Sequence, residues 1–133
     1  METSGQVRGE AREEGRKALG DAGEQAAVDL LERAGYRVVA RNFRCPYGEV
    51  DVVAEKGELL CFVEVRMRSS AAWGDPAHTV SWSKQRKVAR AALHYLFERG
   101  GADRMVRFDV VSVLGRGAEA VVEHIPDAFD AGM

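Results

Sequence analysis

Apolar residues along the chain follow two periods, one helical and one of alternating strand type. Between about residues 17 and 34, Ala27, Leu30, Leu31 and Ala34 recur at the spacing of one helix face, and Gly35 supplies a stop. Residues 36–43 (YRVVARNF) are rich in β-branched and aromatic side chains and predict a strand. The turn CPYG leads to a second strand over residues 49–55 (EVDVVAE), and Lys56, Gly57 and Glu58 make a tight connection. Residues 59–68 (LLCFVEVRMR) predict a third strand, apolar on both faces at its start and therefore central in its sheet. A loop punctuated by Gly74 and Pro76 follows. Ser83 is the expected N-cap of an amphipathic helix over residues 83–99, closed by Gly100 and Gly101. Two more strands, over residues 106–114 and 119–125, complete the order αβββαββ, and Pro126 ends the last. That order predicts an α+β (mixed α/β) architecture, a mixed five-stranded sheet flanked by helices.

Residues 1–16 are Gly-rich and charged, without apolar periodicity, and read as a disordered lead-in to one domain spanning residues 17–133. No apolar run approaches the ~20 residues of a membrane span. The first residues lack the apolar stretch of a signal peptide. Two cysteines, Cys45 and Cys61, do not make a disulfide framework, so a reducing cytoplasm is the expected compartment. A hydrophobic fraction of 46% with 30% charged residues fits the same class. The net charge of −2 conceals an uneven distribution. Acids gather towards both ends, while the middle carries Arg41, Arg44, Arg66, Arg68, Lys84, Arg86, Lys87 and Arg90. A local basic patch binds a polyanion whatever the whole-chain sum; the competing reading is a solvated surface.

The candidate chemistry lies where acids interrupt apolar strands. Asp51 stands among Val50, Val52 and Val53. Glu64 and Arg66 interrupt the third strand, and alternation puts both on the face of Phe62 and Arg68. The hairpin brings Asp51 beside Glu64, a repulsive pair unless a cation lies between them. A divalent ion such as Mg2+ or Mn2+ fits, because it takes oxygen ligands and often uses only one or two carboxylates. Two carboxylates with a cationic side chain beside them describe a phosphoryl-transfer site. Glu24 shares a helix face with Ala27 and Leu31, and an acid there has something to point at. Lys84 shares the stripe of Val88, Ala91 and Tyr95, and with Arg86 and Lys87 it makes the first turn of the second helix basic.

These residues carry a resemblance. Gly23-Glu24, GYRVVARNFRCPYGEVDVVA, LLCFVEVRMRS, KQRKVARAALHYL, RFDVVSV and EHIPDAF resemble, in order, the YraN family of small bacterial proteins. The likeness covers about residues 19–129. That family is assigned to the restriction-endonuclease-like, PD-(D/E)XK superfamily, which includes Holliday-junction resolvases. The resemblance implies one nuclease-like domain, with an Asp on one strand, Glu-x-Lys on the next and an upstream helix Glu. It places the catalytic roles on Asp51, Glu64, Arg66 and Glu24. Asp51, Glu64 and Glu24 would be the metal ligands, helped by the Val65 carbonyl, and Lys84 or Gln85 the accessory polar residue. It further implies DNA as partner, branched or nicked, with Lys84, Arg86, Lys87, Arg44 and Arg68 as contacts, and a homodimer, since a junction presents two symmetric strands.

The chain departs from the motif at Arg66, where the superfamily has lysine. Arginine keeps the charge and grips phosphate bidentately, but its pKa is too high for a general base. Two rivals therefore stand beside the nuclease: an inactive nucleic-acid-binding module, and a protein-interaction module in which the carboxylate cluster is a structural relic. The plain reading of Asp51 and Glu64 is a pair of acids satisfied by Arg44 and Arg66. Structural readings attach to the remaining candidates. Trp73 and Trp82 read as lids on the core rather than platforms for bases. Glu49 reads as a strand-end surface acid, Gly48 as a turn residue, and His78, His94 and His124 share no ligand spacing.

Overall fold

The computed structural model describes residues 20–68 and 80–130. The expected lead-in, Trp73, His78 and most of the long loop lie outside the described residues. Helix α1 occupies residues 20–33 and ends in a Schellman turn. Tyr36 N–H donates to the Leu31 carbonyl at 2.9 Å, and Gly35 N–H to that of Glu32 at 3.0 Å, with Gly35 at a φ of 93° that favours glycine. The strands are β1 (Arg37–Cys45), β2 (Gly48–Lys56), β3 (Leu59–Arg68), β4 (Met105–Leu114) and β5 (Val121–Ile125), with α2 (Trp82–Arg99) between β3 and β4. The sheet runs β1-β2-β3-β4-β5 with β3 at its centre. All neighbours pair antiparallel except β3 and β4, which run parallel and are joined through α2. Among the described residues no helix is long and apolar enough to cross a membrane.

Two apolar layers hold the helices to the sheet. On one face Phe62 and Phe108 pack with Val88, Ala91, Ala92 and Tyr95 of α2. On the other, Ala27, Val28 and Leu31 of α1 cover Val52, Cys61, Val63 and Val111. The central strands are apolar on both faces because both are covered.

Two expectations need correction at element ends. The N-cap of α2 is Ser81, not Ser83: Ser81 is extended and its hydroxyl accepts the Lys84 N–H at 3.1 Å. Ser83 lies inside the first turn, where its hydroxyl no longer precedes the exposed donors. The last strand begins at Val121 rather than residue 119, because Gly117–Glu119 form a short 3-10 turn behind Gly115 and Gly117, both at positive φ. Gly48 serves more than the turn. A Cβ there would stand 2.2 Å from the Lys87 carbonyl oxygen, so only glycine lets the β1–β2 turn lie against the backbone of α2.

Candidate functional site

The site forms where β2 and β3 stop pairing. Their ladder runs from Lys56↔Leu59 to Val52↔Val63. One residue further, Asp51 Oδ2 takes the Val65 N–H at 2.8 Å, so a side chain replaces the next backbone partner. β2 also changes face here: Val50 belongs to the α2 layer and Val52 to the α1 layer, two residues apart. Opposite the change, between the partners of Val50 and Val52, stands Asn42 at a φ of 51°. Asp51 thus sits at a kink with access to both faces of the sheet.

On the α2 face the neighbour is Glu64, only 5% exposed. The two carboxyls are close enough to share a hydrogen bond, and Glu64 Oε2 is buried with no other partner. Burial, and then the Asp51 charge, push the Glu64 carboxyl up to about 8, against the opposing pull of Lys84 and Arg66. Asp51 is raised too, first by burial, although the Val65 N–H and Lys84 draw it down. The pair therefore holds a proton at neutral pH. Lys84 Nζ stands 3.7 Å from Glu64 Oε1 and 3.7 Å from Glu49 Oε1, near enough for charge and too far for hydrogen bonds. Glu49 is consequently more than a surface acid: Arg44 Nε also approaches it, at 3.2 Å. Arg66 Nε is buried without a hydrogen-bond partner.

On the α1 face Asp51 lines a cavity of about 240 Å³ with Glu24 and Asn42. Glu24, 8% exposed, is held by Arg41 Nε at 2.9 Å and Asn42 Nδ2 at 3.0 Å, both on its Oε1. Glu24 and Glu64 thus approach Asp51 from opposite sides. Of the proposed accessory pair, Lys84 faces the carboxyls, whereas the Gln85 amide donates to the Val80 carbonyl at 3.0 Å and serves the helix start. Arg44 and Lys87 line a cleft of about 400 Å³ that adjoins Lys84. Arg68 closes β3, its carbonyl accepting the Gly115 N–H. Trp82 is not a lid: it is 70% exposed, with the Arg86 guanidinium 4.8 Å from its ring centroid.

The donor set is made of hard carboxylate oxygens, which suits magnesium or manganese. Among the described residues no three His, Cys, Asp or Glu groups converge to cage a metal.

A second buried charge cluster escapes the sequence reading. Asp109 on β4 is fully buried. Arg107 grips it with Nε on Oδ1 at 2.8 Å and Nη2 on Oδ2 at 2.7 Å. His124 Nε2 lies 2.7 Å from Oδ2, and the Asp127 N–H donates to Oδ1 at 3.0 Å. Burial alone would raise this carboxyl, but these hydrogen bonds outweigh it and hold it down at about 2. The Cys61 thiol beneath is pushed up to about 12, by burial and then by Asp109, which makes it inert at neutral pH. An acid inside VRFDVVSVL is the same signal as Asp51 inside EVDVVAE, and it was available in the sequence.

A family model described as "Uncharacterised protein family UPF0102" matches residues 23–113. A UPF0102 protein of Myxococcus xanthus is 62% identical over 118 residues, covering 89% of this chain and 94% of its own. Relatives from Geobacter metallireducens and Desulfosudis oleivorans are 45% and 46% identical, covering 86% and 89% of the chain and 93% and 94% of their own lengths. The family match spans α1 to β4 and so contains the carboxyl pair, Lys84 and Asp109 alike: the chain belongs to the UPF0102 family.

Proposed function

We propose that the chain is a metal-dependent phosphodiesterase of the restriction-endonuclease-like kind, acting on DNA at the Asp51–Glu64 pair. One observation carries this reading. The buried Glu64 carboxyl faces the half-buried Asp51 carboxyl with its Oε2 left unpartnered, and the Lys84 ammonium is held just out of hydrogen-bond range. A buried polar cluster left this incomplete asks for a further cation. A bound Mg2+ or Mn2+ would supply Lewis-acid polarisation of a phosphate and lower the pKa of water. Asp51 and Glu64 would hold it, with the Val65 carbonyl and Glu24 as supporting groups. Lys84 would meet a phosphate oxygen from the α2 side, and Arg66 would steady negative charge as the phosphate reacts.

A second reading is favoured by Arg66 itself. An arginine binds phosphate but takes no proton from water, so the chain would bind DNA without cutting it. Cleavage of nicked and branched DNA in manganese separates the two. Loss of cleavage in Asp51→Ala, with folding retained, supports the enzyme. Metal-dependent cleavage that survives both Asp51→Ala and Glu64→Ala eliminates this site. A gain of cleavage in Arg66→Lys, starting from an inactive wild type, supports the binding module.

Metal affinity should depend on pH in a definite direction. With Glu64 raised to about 8, a metal must displace a proton at neutral pH. Manganese affinity is expected to climb up to about tenfold per pH unit from 6 to 8 and then level off. Calorimetric titration across this range checks it, and a flat profile would contradict the protonated pair.

A further inference from the structure

Two large aromatic rings stand in water, one lining the basic cleft and one on the first turn of the helix that borders it. Tyr47, at the β1–β2 turn, is 64% exposed and lines the cleft with Arg44, Lys84 and Lys87. Trp82, at the first position of α2, is 70% exposed, two residues before Lys84. Arg86 sits over the Trp82 ring, yet most of the indole remains in contact with solvent. Among the described residues Lys87 makes no ion pair, and the one acid in the cleft, Glu49, already lies near Arg44 and Lys84. The cleft is therefore cationic with the Tyr47 ring on its lining, and Trp82 stands exposed outside that lining, at the start of the same helix as Lys84 and Lys87. Lys84 belongs to it and to the carboxyl pair at once, so a chain of phosphates lying in the cleft would be led to Asp51 and Glu64.

We infer that this cleft takes a single-stranded polynucleotide, its phosphates along Arg44, Lys84 and Lys87 and unstacked bases on Tyr47 and Trp82. This rests on the reading of the site as one for nucleic acid, and it names the form of nucleic acid. Paired bases in a duplex already stack on one another and offer no face to an exposed ring. A displaced or unpaired strand does, and stacking of that kind is indifferent to sequence. Positive side chains supply the salt-dependent attraction to the backbone.

The test uses labelled single-stranded DNA of roughly 12 nucleotides and a blunt duplex of the same length. Both are followed by fluorescence anisotropy at low salt in chelator, so that catalysis plays no part. Wild type is expected to prefer the single strand. Tyr47→Ala and Trp82→Ala should each weaken single-strand binding about tenfold and leave duplex binding nearly unchanged. Tyr47→Phe and Trp82→Phe, which keep a ring, should retain affinity within about twofold of wild type. Lys87→Ala should weaken both complexes and flatten the salt dependence by about one unit of slope. Both aromatic side chains are exposed, so circular dichroism is expected to show all variants folded. Equal affinity for duplex and single strand overturns the inference, as does single-strand binding that both alanine variants preserve. A failure to bind manganese at Asp51 and Glu64 overturns the catalytic reading alone and does not touch this measurement.

Discussion

Asp109→Ala is expected to cost about 3–5 kcal/mol of folding free energy, because it strands one cation and one imidazole around a fully buried void. Arg107 loses two charge-assisted hydrogen bonds, His124 loses its Nε2 partner, and the Asp127 N–H that helps seat the chain after β5 is left unpaired. A domain of this size is typically stable by about 5–15 kcal/mol, so the loss takes a large fraction of the total. Urea unfolding of wild type and variant at pH 7 measures it. The double variant Arg107→Met, Asp109→Leu should recover much of the loss, since it removes both charges and fills the volume. A loss under about 1 kcal/mol in the single variant would mean that the cluster is not the buried brace it resembles. The wild type adds a second signature. A carboxyl held at about 2 in the folded chain and near 3.8 when unfolded contributes stability above about pH 4. That contribution, about 2 kcal/mol, disappears as pH falls through 2, and the alanine variant should lack this part of the acid transition.

Asp109 also shows where a sequence stops being legible. The strand order and the centrality of β3 follow from apolar patterning, because a strand covered on both faces must be apolar on both. Lys84 and Glu24 could be singled out because a helical stripe fixes which residues share a face. Asp109 has the same apolar flanks as Asp51, but its meaning depends on partners from elsewhere in the sheet. His124 arrives from β5 and Asp127 from the segment after it. Only the antiparallel pairing of β4 with β5 brings these together, and no local period encodes it. The kink at Asp51 was hidden for a different reason. Strict alternation assigns Val50 and Val52 to one face, and the structure divides them between two. Asn42 in the left-handed region lies opposite that change, and its conformation is not written in YRVVARNF. Without the kink Asp51 could not face Glu64 on one side and the cavity beside Glu24 on the other.

Glu64→Gln is expected to make the metal-free protein more stable at alkaline pH, by on the order of 2–4 kcal/mol. The direction follows from the raised carboxyl. The folded state binds the Glu64 proton far more tightly than the unfolded chain, whose glutamate titrates near 4.5. The contribution of that proton is therefore fully present below about 4.5, declines as pH climbs, and is lost above about 8, where folding must tolerate a buried negative charge beside Asp51. Glutamine keeps the shape of the side chain and never acquires that charge. Thermal unfolding in chelator at pH 5 and pH 8.5 tests this: wild type should lose stability between the two and the variant should not. Equal slopes would show that the pair is not strained by its own charge. Adding manganese should reverse the ranking at pH 8.5, since an ion between the carboxylates stabilises wild type by mass action and has one ligand fewer in the variant. A residue whose neutral isostere makes the fold more stable is not present for the sake of the fold. Asp109 and Glu64 are both buried acids in neighbouring strands, yet both oxygens of the first are hydrogen-bonded while the second keeps an oxygen with no hydrogen-bond partner. On that difference the first reads as a brace, and the second is left to the proposed function.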